Sequence, residues 1–323
     1  MPIWSEIGSE IQTAGIPAGF DHVRRRYLAK LAGHTGRETV LYAAKFTQPT
    51  PSDLHPDLYS ISDGDMQGLM ETLHGLHCDE LDLILHSPGG GLDAAESLVA
   101  YLRTKISHLR VIVPHLAMSA ATMMACAANC IVMGKHSFLG PIDPQFVLTT
   151  PLGMRMVPAQ AILEQFDLAM EECKDPNRLA AWYPMLSMLG PDMLIQCRNA
   201  SRKSRRLARE WLRDYMFAGQ EDRVKRSERI ARWLSDHSRF GSHGRHIPRE
   251  ELVRRGLVIE RLEDDQVLQD LVLSVFHATT HTFAGTDATK IIENHVGRAL
   301  ILRVRSVIVS QSPSAPAQAP TSP

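Results

Sequence analysis

The sequence predicts an α/β protein in which short parallel strands alternate with crossover helices. Three apolar runs, at 81–85, 111–113 and 130–133, have the length and composition of buried strands. Helical patterns separate them, first at 92–106 and then at 119–128. Strand and helix alternating at this spacing favour parallel pairing with right-handed crossovers. Functional loops of such sheets lie at the carboxyl ends of the strands.

The segments that precede this core are a helical lead-in and one more strand. Residues 1–35 are expected to be helical, and the β-rich run at 38–46 is expected to be a strand. The stretch at 47–58 is rich in proline, which cannot donate a backbone hydrogen bond, so it predicts a loop. Apolar residues spaced by three and four predict a helix from Asp65.

Helices are expected to dominate beyond Pro144. Residues 159–173 form an amphipathic pattern, and 178–235 are mostly helical with many arginines. The tail at 310–323 contains several prolines and no large apolar residue, which predicts disorder. A helix, a short strand and another helix are expected at 248–256, 257–262 and 266–277.

Composition excludes several classes of protein. The 323 residues carry 35 basic and 36 acidic side chains, a net charge of -1, which argues against a protein built to hold nucleic acid or an anionic membrane. The five cysteines form no paired CxxC sets, so neither a zinc ribbon nor a disulfide scaffold is expected. There is no apolar run of about 20 residues and no basic leader, so we expect a cytoplasmic protein without a membrane span. Metal-binding and nucleotide-binding motifs are lacking, and no cofactor is predicted.

Two loops at strand ends could carry chemistry. In the first, Pro88 is followed by Gly89 and Gly90, whose backbone N–H groups can approach a ligand oxygen because no Cβ intervenes. In the second, Ser119 lies between a strand and a helix, where the amide of Ala120 and the helix dipole can stabilise negative charge. Taken singly, a simple turn explains the glycines equally well, and helix capping explains the serine.

The ordered motifs of this region resemble the serine dehydrogenase proteinase family, a distant branch of the Clp protease fold. They are LDLILHSPGG, AAES, VIVPHLAMSAAT, CIVM and FLGPIDPQ, and the similarity is dense over 81–146 within a match of roughly 20–262. The resemblance implies a Clp/crotonase-type core of stacked parallel strands with crossover helices, plus a helical elaboration. It also implies a serine peptidase. Ala120 and Ala121 stand where the family has two glycines, and Gly91 lengthens the first loop.

The resemblance implies the roles of the site residues. Ser119 aligns with the nucleophile, Asp143 with the orienting carboxylate and His243, in SHGRHIPREELVRRGL, with the general base. The amides of Gly90, or Gly89, and of Ala120 would form the oxyanion hole.

Alternatives remain open at this point. His136 and His246 compete with His243 as the base, and Lys135 is the candidate lysine for a Ser–Lys dyad. A crotonase-like acyl-CoA enzyme would use the same amides without a nucleophile. A non-catalytic scaffold would bind extended peptides along a strand near 141–150.

The resemblance also implies how the chain is divided into regions and which partners it has. Residues 36–150 are expected to form the catalytic core, 151–262 the helical elaboration with the rest of that core, and 263–309 a C-terminal helical segment. The expected partners are a peptide or protein substrate, further copies of the chain in a homo-oligomer, and an unfoldase or regulator supplied in trans. The arginine-rich stretch at 198–213 is expected to be a solvated helical face with nearby acidic partners rather than a nucleic-acid site.

Overall fold

The computed structural model describes residues 3–49, 55–77, 79–150, 153–187 and 189–304. The predicted disorder of the 310–323 tail therefore lies outside the described residues. The helices are α1 (Trp4–Thr13), α2 (Ala18–Thr35), α3 (Asp65–Leu73), α4 (Leu92–Lys105), α5 (Ala120–Cys126), α6 (Ala159–Glu172), α7 (Pro176–Leu186), α8 (Met193–Trp211), α9 (Arg223–Leu234), α10 (His237–Phe240), α11 (Arg249–Arg255) and α12 (Gln266–Gly285). A π-helical turn, Leu212–Met216, extends α8, and 3-10 turns occupy Pro56–Leu58 and Leu262–Asp264.

The strands form one large sheet and two small ones. They are β1 (Glu38–Ala44), β2 (Glu80–His86), β3 (His108–Val113), β4 (Leu116–Ala117), β5 (Cys130–Met133), β6 (Phe138–Leu139), β7 (Gln145–Thr150), β8 (Gly153–Pro158), β9 (Ile247–Pro248), β10 (Ile259–Arg261), β11 (Ala288–Asn294) and β12 (Ala299–Arg303). The large sheet has the order β10-β5-β3-β2-β1-β11-β12. Its first five strands run parallel, whereas β11 and β12 pair antiparallel.

Helices cover both faces of the large sheet because its central strands alternate buried side chains between two cores. Leu83 and Val111 point into the larger core with α3, α4, α5, α8 and α9. Ile84 and Ile112, the next residues along the same strands, point into the core formed with α2 and α12. A strand that is buried on both sides has no polar face, which explains the continuous apolar runs in the sequence.

The predicted architecture is confirmed in its central part and wrong at its C-terminal end. β5 occupies 130–133 as predicted, and α11 ends at Gly256, which has the left-handed conformation of a helix C-cap (φ 100°). The segment 263–309 is not simply helical. After α12 the chain returns as β11 and β12, and β11 pairs with β1 inside the sheet. The pairing of β11 depends on a strand almost 250 residues earlier, a relation that no local pattern reports.

The helical elaboration carries the arginine-rich stretch on α8. Lys203 pairs with Asp93 and Glu96 of α4. Arg209 approaches Glu228 of α9, with 3.5 Å between Arg209 Nη1 and Glu228 Oε2. The acidic compensation predicted for this stretch is therefore present in the structure.

Candidate active site

Ser119 lies at a strained turn between β4 and α5. Its backbone has φ 51° and ψ -118°, and it is the one non-glycine residue of the described chain with positive φ. Such a conformation costs about 1–3 kcal/mol and persists where the surrounding structure holds it in place. Its side chain makes no capping hydrogen bond to α5, so helix capping does not account for this serine.

The glycine loop at 88–91 packs directly against this turn. Ser87 and Ala117 form a bridge in which Ser87 N donates to Leu116 O (3.1 Å) and Met118 N donates to Ser87 O (2.9 Å). A Cβ on Gly89 would lie 2.7 Å from both Met118 O and Ser119 Cβ. Only glycine, here with φ 97°, lets the two loops approach this closely.

Three backbone amides of these loops differ in their hydrogen bonds. Gly89 N donates to Ser87 Oγ (3.2 Å), so this amide is already engaged. Within the described part of the chain, the amides of Gly90 and Ala120 donate no hydrogen bond. Unpaired backbone donors beside a serine hydroxyl are the elements of an oxyanion hole. The geometry thus favours Gly90 and Ala120 over Gly89.

A small sheet brings three distant segments to one edge. β4 pairs parallel with β6, and β6 pairs antiparallel with β9. Ser119 follows β4 by two residues, Asp143 follows β6 by four, and His243 precedes β9 by four. Since parallel strands end at the same edge and an antiparallel partner begins there, all three residues emerge at that edge of the sheet.

Asp143 is buried, with 2% of its surface exposed, and it binds two imidazoles. His243 Nδ1 lies 2.8 Å from Asp143 Oδ1, and His237 Nδ1 lies 2.8 Å from Asp143 Oδ2. Opposite an ionised carboxylate each ring donates its Nδ1–H, which leaves each Nε2 able to accept a proton. The pairing predicted between Asp143 and His243 is present in the structure.

His237 is the residue that the sequence did not reveal. It begins α10, a short helix that Asp236 caps by accepting a hydrogen bond from Arg239 N. It is one of fifteen histidines, and no motif distinguishes it. The one available signal was its position six residues before His243.

The loop that carries Asp143 is fixed by the helical elaboration. Ile142 N donates to Leu234 O at the end of α9 (2.9 Å), and Ser204 Oγ on α8 donates to Ile142 O (2.6 Å). Thr122 of α5 holds the start of the same loop, because its Oγ1 accepts from Gly140 N (2.9 Å). Contacts with α5, α8 and α9 therefore fix the loop that positions the Asp143 carboxylate.

Ser119 and His243 are not joined by a hydrogen bond. The Ser119 hydroxyl has no hydrogen-bond partner among the residues that the structure describes, so no hydrogen bond joins it to the Asp143–His243 pair at the shared edge. Hydrogen bonds of catalytic groups often tighten only when substrate is bound.

The competing residues lack comparable surroundings. His136 is partly buried, its Nε2 has no partner, and desolvation lowers its pKa. His246 is exposed against the ring of Phe138, and Lys135 is exposed beyond β5. Neither His136 nor His246 binds a carboxylate through its ring within the described chain.

Other nucleophiles and metal ligands do not gather near this edge. Burial raises the pKa of the Cys126 and Cys130 thiols to about 12, so both stay protonated. Across the described ranges, no group of three or more His, Cys, Asp or Glu side chains could hold a metal ion.

Comparison with known proteins finds one family that part of the chain resembles. Residues 74–177 match the family described as ClpP-like SDH-type serine proteinase, and this span contains Ser119, Asp143 and the glycine loop. The match covers about a third of the chain, and over that span the chain is similar to this family. The matched span ends before His237 and His243, so the family match covers Ser119 and Asp143 but neither histidine.

Two relatives of this chain are uncharacterized proteins of Methanocaldococcus jannaschii. One is 48% identical over 65 residues, which is 20% of this chain and 23% of the relative. The other is 37% identical over 95 residues, which is 29% of this chain and 30% of the relative. The chain thus spans less than a third of each of these relatives.

Among solved structures, the chain is similar to a serine-to-alanine mutant of 1510-N, a membrane-bound stomatin-specific protease. The TM-score is 0.38 at 15% identity, covering 66% of this chain and 79% of that chain. Among the helices that the structure describes, none is long and apolar enough to cross a membrane.

Proposed function

We propose that the protein is a serine peptidase that cleaves peptide bonds through an acyl-enzyme intermediate. The observation that carries the proposal is the strained turn that presents Ser119 beside the unpaired amides of Gly90 and Ala120. The Asp143–His243 pair emerges at the same edge of the small sheet and supplies a base. The family match supports a serine peptidase in general.

In the proposed acylation, Ser119 Oγ attacks the carbonyl carbon of the peptide bond. His243 Nε2 takes the hydroxyl proton as the new C–O bond forms, and the carbonyl electron pair moves onto oxygen. The Gly90 and Ala120 amides donate hydrogen bonds to this oxyanion. When the C–N bond breaks, His243 returns the proton to the leaving amine.

Deacylation repeats these steps with water as the nucleophile. His243 takes a proton from water as the hydroxide adds to the acyl carbon. When the bond between the acyl carbon and Ser119 Oγ breaks, His243 returns that proton to Ser119 Oγ and the carboxylic acid is released. Asp143 holds His243 in the tautomer that leaves Nε2 free and stabilises the imidazolium. The proposed mechanism requires a hydrogen bond between Ser119 Oγ and His243 Nε2 to form when substrate binds.

The strand β7 supports an extended peptide as the substrate. It begins two residues after Asp143, and within the described chain it pairs only with β8. An unpaired strand edge offers backbone donors and acceptors to a peptide that adds as a further strand. We propose that substrates bind along this edge and reach Ser119 from it.

A covalent label tests the nucleophile and the base together. The wild type, Ser119→Ala and His243→Ala are treated with a fluorophosphonate, and intact mass is measured. We expect labelling of the wild type, none of Ser119→Ala and slow labelling of His243→Ala. Ser107→Ala, at an exposed serine, is the matched control and should be labelled like the wild type.

Labelling that survives in Ser119→Ala would contradict the proposed nucleophile. A crotonase-like enzyme or a non-catalytic scaffold would leave the wild type unlabelled, and binding of an acyl-CoA or of an uncleaved peptide would then separate these two alternatives.

We also propose that the protein forms a homo-oligomer and that any unfoldase acts in trans. Exposed apolar side chains on β8 and α7, namely Met154, Met156, Tyr183 and Met185, support a surface that further copies cover. Sedimentation velocity of the wild type and of Met154→Asp with Met156→Asp tests this. A wild type that sediments as a monomer would refute the oligomer.

A further inference from the structure

We propose that Lys290 and Asp65 are positioning residues for the oxyanion hole, acting through the backbone of Ile61. The inference rests on the proposed function and concerns the loop of Gly90. Both Lys290 and Asp65 lie outside the span that matches the family. They form a fully buried ion pair, with 2.6 Å between Lys290 Nζ and Asp65 Oδ1.

Lys290 fixes the chain just before Ile61. It lies on β11, and its ammonium also donates to Ser60 O (2.6 Å) and Asp57 O (2.9 Å). An ammonium has three N–H donors, so all of them are used on the segment 57–65. The C-terminal strand of the sheet thereby holds a segment that is more than 220 residues away in sequence.

Asp65 fixes the chain just after Ile61. Its Oδ2 accepts hydrogen bonds from Ser62 N (2.9 Å) and from the hydroxyl of Tyr42 (2.6 Å). Burial and the neighbouring Asp65 carboxylate raise the pKa of Tyr42, so that hydroxyl remains a donor. Ile61 therefore lies between two anchored residues, Ser60 and Ser62.

The backbone of Ile61 in turn sets the direction of the Gly90 amide. Ile61 N donates to Gly89 O (2.7 Å), and Gly91 N donates to Ile61 O (2.9 Å). Gly89 C=O and Gly90 N–H belong to one planar trans peptide and point in opposite directions. Because Ile61 binds the carbonyl, the Gly90 N–H must point away from Ile61, and it is left unpaired for the oxyanion.

The contact requires glycine at position 90. A Cβ there would lie 2.3 Å from Ile61 O and 2.4 Å from Ile61 N, and Gly90 has φ 153°. The contact between Ile61 and Gly90 is therefore made between two backbones. The direction of the Gly90 amide depends on where the segment 57–62 is held. A buried ion pair adds little net stability on average, so a positioning role gives a reason for one at this place.

The test compares two buried ion pairs on the same strand. Lys290→Met removes the anchor of the segment 57–62. Glu293→Gln, the matched control, weakens the buried pair of Glu293 with Arg24 and its pair with the partly exposed Arg25, neither of which contacts that segment. Turnover of an unstructured protein substrate and the rate of fluorophosphonate labelling are measured for both variants and for the wild type, with thermal unfolding as a check of the fold.

We expect Lys290→Met to lower kcat about 10–100-fold with little change in KM, because a displaced oxyanion donor acts mainly in the transition state. Glu293→Gln should keep kcat within about twofold of the wild type even if its Tm falls, since it leaves Gly90 in place. Hydrogen exchange gives a readout that needs no activity. The amides of 57–62 and 88–92 should exchange at least about tenfold faster in Lys290→Met than in Glu293→Gln.

Each outcome is decisive. Equal kcat in folded Lys290→Met and wild type, with unchanged exchange at 88–92, would overturn the positioning role and leave the peptidase intact. A wild type that is neither labelled nor active would refute the proposed function and this role with it. If Lys290→Met does not fold, Asp65→Asn replaces it, and a kcat equal to that of the wild type would again overturn the role.

Discussion

The two halves of the candidate site are held in different ways. The nucleophile half, at 87–91 and 117–120, is fixed by contacts between backbones, and glycines permit their close approach. The base half consists of side chains, where one buried carboxylate binds two imidazoles that lie 94 and 100 residues further along the chain. The first half should therefore be sensitive to added Cβ atoms, and the second to removed side chains.

The largest expected effect follows replacement of the nucleophile. Ser119→Ala should lower turnover by as much as about 10⁶-fold, because the remaining site cannot form the acyl-enzyme. Ser119→Gly should be equally inactive and more stable than Ser119→Ala by about 1–2 kcal/mol, since glycine adopts φ 51° without strain. Urea unfolding of both variants checks this. Equal stability would mean that the turn stores no strain.

The second largest effect is expected when Asp143, the carboxylate of the base half, is replaced. Asp143→Asn should lower kcat by about 10⁴-fold, because an amide can hold the imidazole in the wrong tautomer. The measurement is kcat/KM across pH, with the fold checked by circular dichroism. Activity close to that of the wild type would remove Asp143 from the mechanism.

Two Gly→Ala variants show whether activity is lost through a close contact of the new Cβ or through backbone strain alone. Gly89→Ala should lower kcat about 100-fold, because the new Cβ meets Met118 O and Ser119 Cβ at 2.7 Å and displaces the oxyanion loop. Gly153→Ala is the matched control, as Gly153 also has positive φ (102°) but no atom of the described residues lies within 4 Å of an added Cβ. If both variants lose the same activity, contact with the nucleophile turn is not the reason.

Acid should destabilise the nucleophile half through His86, which immediately precedes its loop. Burial, with a smaller contribution from His115, lowers the pKa of His86 to about 3. The unfolded chain, with an ordinary histidine pKa near 6.5, therefore binds more protons, and stability falls as pH drops from about 6.5 towards 3. At pH 5 the protonation of His86 in the unfolded chain lowers the free energy of unfolding by about 2 kcal/mol. His86→Phe should flatten this dependence in urea unfolding between pH 7 and 5, and an unchanged slope would contradict the assignment.

The smallest effect is expected at the second imidazole. His237→Gln should lower kcat only about tenfold, because it removes a hydrogen bond that orients Asp143 while His243 still acts as the base. His243→Gln, made in parallel, should lower kcat by several orders of magnitude. A reversed ranking in the same assay would make His237 the base.

Local sequence determined the elements and the nucleophile half. The apolar runs gave the buried strands, and the small residues around Ser119 and Pro88 predicted the two loops that the structure places in contact. Such features could be predicted because each depends on neighbours within a few residues, and the parallel sheet then brings strand ends together.

The tertiary structure alone decided what depends on distant residues. The sequence did not reveal that His237 shares Asp143, that β11 and β12 complete the sheet, or that Lys290 reaches the segment before Ile61. The contacts of His237 with Asp143, of β11 with β1 and of Lys290 with Ser60 join residues more than 90 positions apart, and a single histidine, strand or lysine carries no local sign of its partner. Short motifs thus determine where the residues of the site lie in the sequence. Long-range packing and buried hydrogen bonds determine where those residues lie relative to one another in space.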